Sequence, residues 1–279
     1  MKVFKTAIAL ALAAGLGTLS TTALASHVPG VSFAAAPFNV NPGALGIGTI
    51  TQNTFTARFI DFSYTASVAL TGNGLGFVPP PGPQPGAGTF TENGRADFST
   101  FQFPALGNPI NAGISGLNLT YNMYAVFDAT GTVANNNALG VDGIFRTFNV
   151  HFFVDVTPFG AGVDINVLNG TLQVGGFHVN SGLVGGDFDV LFNVTNCGAI
   201  GGFFCGAGGL VAGSTVGDIN GVNTSITGIS PLGAGGTGPL GIIGSGNVSF
   251  ATVPEPTSLA LVGLALAGLG VAARRQKKQ

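Results

Sequence analysis

The sequence predicts an all-β body, an antiparallel β-sandwich-like single domain, on three observations. Several stretches alternate polar and apolar residues with period two. No body segment combines a 3.6-residue period with helix caps. Two Asn-Gly pairs fall between apparent strands. Period-two alternation puts one set of side chains on one face of a strand, and an antiparallel sheet buries that face while the other meets solvent or a second sheet.

The first clear strand has Ile60, Phe62, Tyr64, Ala66, Val68 and Leu70 on one face, opposed by Asp61, Ser63, Thr65 and Ser67. Asn93-Gly94 and Asn169-Gly170 suit type I′ hairpin turns, because both residue types tolerate positive φ. Glu92 and Arg95 flank the first pair and would face each other across that hairpin. The odd positions from Leu117 to Phe127 form the next apolar face. Ile144, Phe148, Val150, Phe152, Val154 and Val156 form another, interrupted by Arg146. Phe188, Val190, Phe192 and Val194 repeat the pattern. The run Pro79 to Pro85 is a stiff loop, and the Gly-rich tract 198–246 is either a long loop region or a set of weak strands.

The ends differ from the body. Residues 1–25 have the form of a signal peptide: Lys2 and Lys5, an apolar run from Thr6 to Gly17, then the small residues Ala23 and Ala25 before a cleavage point. Signal peptidase is the partner this implies. At the other end, Leu259–Ala273 is apolar and Arg274, Arg275, Lys277 and Lys278 follow. Those fifteen residues reach ~22 Å as a helix, short of a ~30 Å hydrocarbon core, but Thr257 and Ser258 can extend it. A transmembrane helix at 257–273 with its basic tail 274–279 held in the cytoplasm leaves everything before it outside the inner membrane. Pro254 and Pro256 mark an extended segment just ahead of the helix.

Charge must be counted with these ends set aside. The whole chain of 279 residues carries a formal −2 and is only 7% charged against 46% hydrophobic. Residues 26–253 contain no lysine, three arginines and ten carboxylates, a net −7. A body this acidic lacks the clustered cations that neutralise phosphates, so no nucleic-acid partner is expected. Its polar surface must come from Asn, Thr, Ser and backbone.

Few residues invite chemistry. Cys197 and Cys205 are the only cysteines, and in an exported chain their spacing favours a small disulfide loop over a shared metal. His27 sits near the mature N-terminus, His151 lies on a polar strand face with Asp155 too far along the strand to pair, and His178 has no evident partner. Gly113-Ile114-Ser115-Gly116-Leu117 lacks the last glycine of a nucleophile elbow and runs into a strand. Gly72-Asn73-Gly74-Leu75-Gly76 opens no helix and is a turn. Asp187 and Asp189 share a face; with Asp164 or Asp155 they offer oxygen donors to Ca²⁺, though a solvent-facing pair is the simpler reading. The absence of tryptophan weighs against a sugar-cleaving cleft. No catalytic residue, metal site or cofactor is expected.

The order Val253-Pro254-Glu255-Pro256, an apolar helix and an Arg-rich terminus resembles the PEP-CTERM sorting signal of Gram-negative bacteria. The resemblance implies that an exosortase recognises and removes residues 253–279 during export, after a transient stay in the inner membrane. A more diffuse likeness covers Phe38–Leu45, the strand from Phe59, Gly88–Glu92 and Leu119–Gly131, which are similar in order to the flocculation-associated PEP-CTERM proteins. That likeness implies a β-rich exported protein acting with exopolysaccharide. The expectation is therefore a signal peptide at 1–25, a β-rich extracellular domain at 26–252 and a sorting signal at 253–279. Its expected role is a non-enzymatic surface or matrix protein associating with extracellular polysaccharide in floc or biofilm formation. A secreted carbohydrate-binding module or glycan hydrolase is the alternative, and a subunit polymerising through exposed strand edges is a third reading.

Overall fold

Eight long antiparallel strands follow one another around a closed barrel in the computed structural model, which describes residues 33–46, 54–71, 87–105, 107–136, 140–156, 164–180, 185–227 and 240–252. The barrel strands are β3 (Phe59–Thr71), β4 (Ala87–Gln102), β5 (Asn122–Asn136), β6 (Gly140–Asp155), β7 (Asp164–Val179), β8 (Gly186–Asn196), β9 (Thr215–Thr227) and β10 (Leu240–Thr252). Each pairs with the next in sequence, and β10 returns to β3 with Val248 opposite Ile60. A separate two-stranded ribbon joins β1 (Phe38–Val40) to β2 (Phe55–Ala57).

The expected β-sandwich is thus corrected to a barrel, while the all-β class holds. Alternation alone does not separate the two, since each architecture buries one face of every strand. Closure is what distinguishes them, and it removes both free edges of the sheet. That also removes the barrel edges a strand-edge polymer would need.

Eight strands enclose a space just wide enough for side chains to fill, and here phenylalanine fills it. Phe98 stacks on Phe152 with centroids 5.5 Å apart, Phe127 stacks on Phe148 at 5.7 Å, and Phe90 meets Phe177 edge-on at 5.3 Å. Such pairs contribute beyond the area they bury. Inward glycines make the room. A Cβ added at Gly143 would come within 2.1 Å of the Phe177 ring, and one at Gly170 within 2.2 Å of Phe192. Rings of one strand therefore lie over bare backbone of its neighbours.

Both predicted Asn-Gly turns are overturned by this packing. Asn93-Gly94 lies inside β4 and Asn169-Gly170 inside β7, and Gly94 and Gly170 are there to accommodate rings rather than to reverse the chain. Glu92 consequently turns inward and is buried, while Arg95 on the outer wall pairs with Asp97 at 2.8 Å. A third correction concerns β6. Thr130 pairs with Thr147 and Gly131 with Phe145, so Arg146 bulges out of register. Beyond that bulge the parity flips: Phe145 faces the core and Ile144 is 57% exposed. The strand expected from Leu117 starts only at Asn122, because a one-turn helix (Ala112–Ser115) ends at Gly116 with φ +77° and Asn118 also has positive φ.

One end of the barrel is plugged. Phe38, Phe55, Tyr121, Phe203 and Phe204 pack there, with Phe204 against Phe152 and Phe250 and Tyr121 edge-on to Phe203 at 5.8 Å. The unsettled tract 198–246 resolves into a plug loop, then β9 and β10 separated by residues outside the described set. Pro79–Pro85 and Gly72–Gly76 also lie outside the described residues.

Candidate functional site

The outer wall is where this barrel meets its surroundings. Along β3 and β4 the outward side chains Ser63, Thr65, Ser67, Thr91, Asn93 and Asp97 are all exposed, opposite the inward aromatic rows. A lipid-facing barrel carries its apolar side chains outward; this described wall has the opposite polarity. Hydroxyls and amides form ladders across it, including Thr71 with Thr89 at 2.6 Å, Thr130 with Thr147 at 2.7 Å, and Asn149 donating to Asp128 at 2.9 Å. Cross-strand pairs of this kind hold sheet register as well as displaying polar groups.

A shallow open groove of about 580 Å³ crosses the wall over β9, β10, β3 and β4. Its polar lining includes Asp61, Ser63, Ser99, Asn220, Ser245 and Asn247. Gln102 donates to both Asp61 oxygens at 2.7 Å and so orients that carboxylate.

Beside the groove the wall becomes more enclosed. Asp189 on β8 and Asp218 on β9 point outward from the barrel yet are buried, at 6% and 3% exposure. Phe33 and Ala35 cover the neighbouring outward residues Leu191, Val216 and Ala251, and Ala36 bonds to Phe250. Burial pushes the Asp218 carboxyl well above the usual range, and its hydrogen bond to Asp189 and the charge there push the same way. Asn220 opposes that shift by donating to Asp218 Oδ2 at 3.1 Å.

A second polar cluster lies inside the barrel. The Tyr64 hydroxyl donates to Asn223 Oδ1, and burial holds Tyr64 in its neutral form with Glu92 adding to the effect. Burial pushes Glu92 up to about 7. The alternation Phe90, Glu92, Gly94, Ala96, Phe98 against Thr91, Asn93, Arg95, Asp97 is the signal that places Glu92 inside, and the Asn-Gly turn signal obscures it.

The remaining sequence candidates separate clearly. Cys197 and Cys205 are bonded, S–S 2.13 Å, within the plug loop. His178 does have a partner: its Nδ1 lies 2.7 Å from Asp142 Oδ1 on the adjacent strand. His151 Nδ1 lies 2.6 Å from Asn169 Oδ1 rather than near Asp155. Asp155 and Asp164 face each other across β6 and β7, but Asp189 pairs a dozen residues further along β7, beside Gly176. They cannot join Asp187 and Asp189. Among the described residues no three His, Cys, Asp or Glu side chains converge as a metal site. Ser115 is buried in the one-turn helix and receives the Leu117 N–H at 3.3 Å. Among the described residues no helix is long and apolar enough to cross a membrane. Ala23, Ala25, His27, Val253–Pro256, the 257–273 helix and the basic tail all lie outside the described residues.

These features define an aromatic-packed barrel with a polar outer wall, ending one residue short of the Pro-Glu-Pro segment's Val253. Residues 252–276 match the PEP-CTERM protein-sorting motif, so the chain carries the signal of an exported, exosortase-processed protein of the Gram-negative cell envelope or surface. No curated protein matches the chain. Among solved structures, the chain is similar to Ail, the attachment invasion locus protein of Yersinia pestis, at 8% identity over 69% of this chain and 97% of that one. The TM-score is 0.17, too low for the likeness to carry any inference.

Proposed function

We propose that the processed barrel is a non-catalytic surface or matrix protein that associates with extracellular polysaccharide and helps build flocs or biofilm. The observation that carries this reading is the outer wall: rows of Ser, Thr, Asn and Asp side chains over a barrel whose interior is occupied by phenylalanine. Hydroxyl and amide groups at strand spacing exchange hydrogen bonds with sugar hydroxyls, each contact weak, and many copies along a polymer add their effects by multivalency. The sorting motif supports delivery to the compartment where such a polymer lies.

The test is sedimentation of the exported protein with the producing organism's own exopolysaccharide, alongside a deletion strain. Co-sedimentation, and dispersed cells in the deletion strain with polysaccharide yield intact, is the expected result. Protein left in the supernatant together with normal flocs overturns the reading. Release of reducing sugar by the protein would replace it with a glycan hydrolase.

A further inference from the structure

We propose that Asp189, Asp218, Asn247 and Ser249 form a Ca²⁺ site on the outer wall, independent of any polysaccharide role. Register places these residues together. Asp218 lies directly opposite Ser249, Asn220 lies between Asp189 and Asn247, and all five point outward from β8, β9 and β10.

The chemistry of the set is one-sided. Asp189 Oδ1, Asp218 Oδ1, Asn247 Oδ1 and Ser249 Oγ are all inaccessible and, among the described residues, have no hydrogen-bond partner of ordinary geometry. Ser249 is 0% exposed, stands opposite Asp218 in the register, and its Oγ has no hydrogen-bond partner among the described residues. Among the described residues, Asn220 donates to Asp218 Oδ2 at 3.1 Å. Native proteins rarely leave several buried oxygens unsatisfied side by side, and two carboxylates close enough to share a hydrogen bond repel once both are charged. A cation answers both problems at once.

The donors select its class. Carboxylate, amide-carbonyl and hydroxyl oxygens are hard ligands, and no cysteine or histidine stands on these strands beside them. Ca²⁺ accepts irregular sets of such oxygens with water completing the shell, whereas Mg²⁺ demands near-ideal octahedral geometry. The set holds two carboxylates and two neutral oxygens, and among the described residues no third acidic group joins them.

The full-length protein, stripped with chelator, is titrated with CaCl₂ by calorimetry, and its thermal midpoint is followed in parallel. One Ca²⁺ per chain and a higher midpoint are expected. Asp218→Asn and Ser249→Ala should each weaken binding by about tenfold or more, while Asp142→Asn on the far wall should leave it unchanged. Without Ca²⁺, Asp218→Asn should match or exceed the parent midpoint, since the amide replaces a buried carboxyl whose ionisation the site disfavours; lost binding then cannot be lost folding. Absence of heat and of a midpoint shift at millimolar Ca²⁺ overturns the proposal. So does undiminished binding by Asp218→Asn, or Mg²⁺ displacing Ca²⁺ at equal concentration.

Discussion

Gly94 lies beneath the ring of Phe127, so closely that a Cβ at position 94 would stand 2.2 Å from the ring's Cζ. The two residues are direct cross-strand partners on β4 and β5. Replacing Gly94 with alanine should therefore overpack the barrel and destabilise it by about 1–3 kcal/mol. Combining Gly94→Ala with Phe127→Leu should recover part of that loss, because the smaller side chain vacates the contested space. Urea unfolding of the two single variants and the double variant measures the coupling, and strict additivity would show that the contact is not the cause.

Glu92 ties stability to pH. Its carboxyl has an ordinary value near 4.5 and is raised to about 7 by burial, so the folded state holds its proton more tightly than the unfolded chain does. This contribution is fully favourable below pH 4.5, declines as pH rises through the interval to 7, and is absent above it. The loss amounts to about 3 kcal/mol. Glu92→Gln should flatten that segment of the stability–pH curve and stabilise the protein at pH 8. An unchanged curve would place the carboxyl in water.

The Cys197–Cys205 bond closes the loop that carries Phe203 and Phe204 into the plug. Opening it frees that loop in the unfolded chain, and the Cys197→Ser, Cys205→Ser variant should lose about 2–3 kcal/mol. Local unfolding should also show first at the plug, read as faster amide exchange at Leu210 and Gly209, whose N–H groups bond to Phe204 and Gly206 at 2.8 Å. Uniformly faster exchange across the barrel would instead indicate a global effect.

Processing is tested at the tail. Changing Pro254, Glu255 and Pro256 together to alanine should leave residues 253–279 attached, so the cell-associated protein gains the mass of the uncut segment. A mature mass identical to the parent's would mean that the motif is not the recognition element.

Much of the fold is legible in the residues, with physically identifiable exceptions. β3 and β8 can be read directly because their inward positions from Phe62 to Val68 and from Phe188 to Val194 are apolar. β4 misleads because Gly94 and Glu92 sit in its inward row, and the atoms filling the space over Gly94 belong to Phe127 on another strand. Periodicity is a property of one strand, whereas ring-over-glycine packing is a property of two. Ile144 misleads for a related reason: the bulge at Arg146 shifts parity without any local break in hydrophobicity. Barrel closure depends on Ile60 meeting Val248, which no window of neighbouring residues contains. The Asp189–Asp218 pair likewise joins two strands separated by the plug loop, whereas the sorting tail is fully local and needs no fold to be recognised.

The pairing of β10 with β3 also sets an order of events. The seam pairs residues 240–249 of the last barrel strand with β3, and the sorting motif begins at residue 252. The barrel therefore cannot shut until almost the entire chain has emerged from the translocation channel. Through that interval β3 offers an unpaired flank to every neighbouring chain. Joining the first barrel strand to the last is a non-local contact, and such closure is intrinsically slow. Exosortase cleavage then frees a ring, not a ribbon.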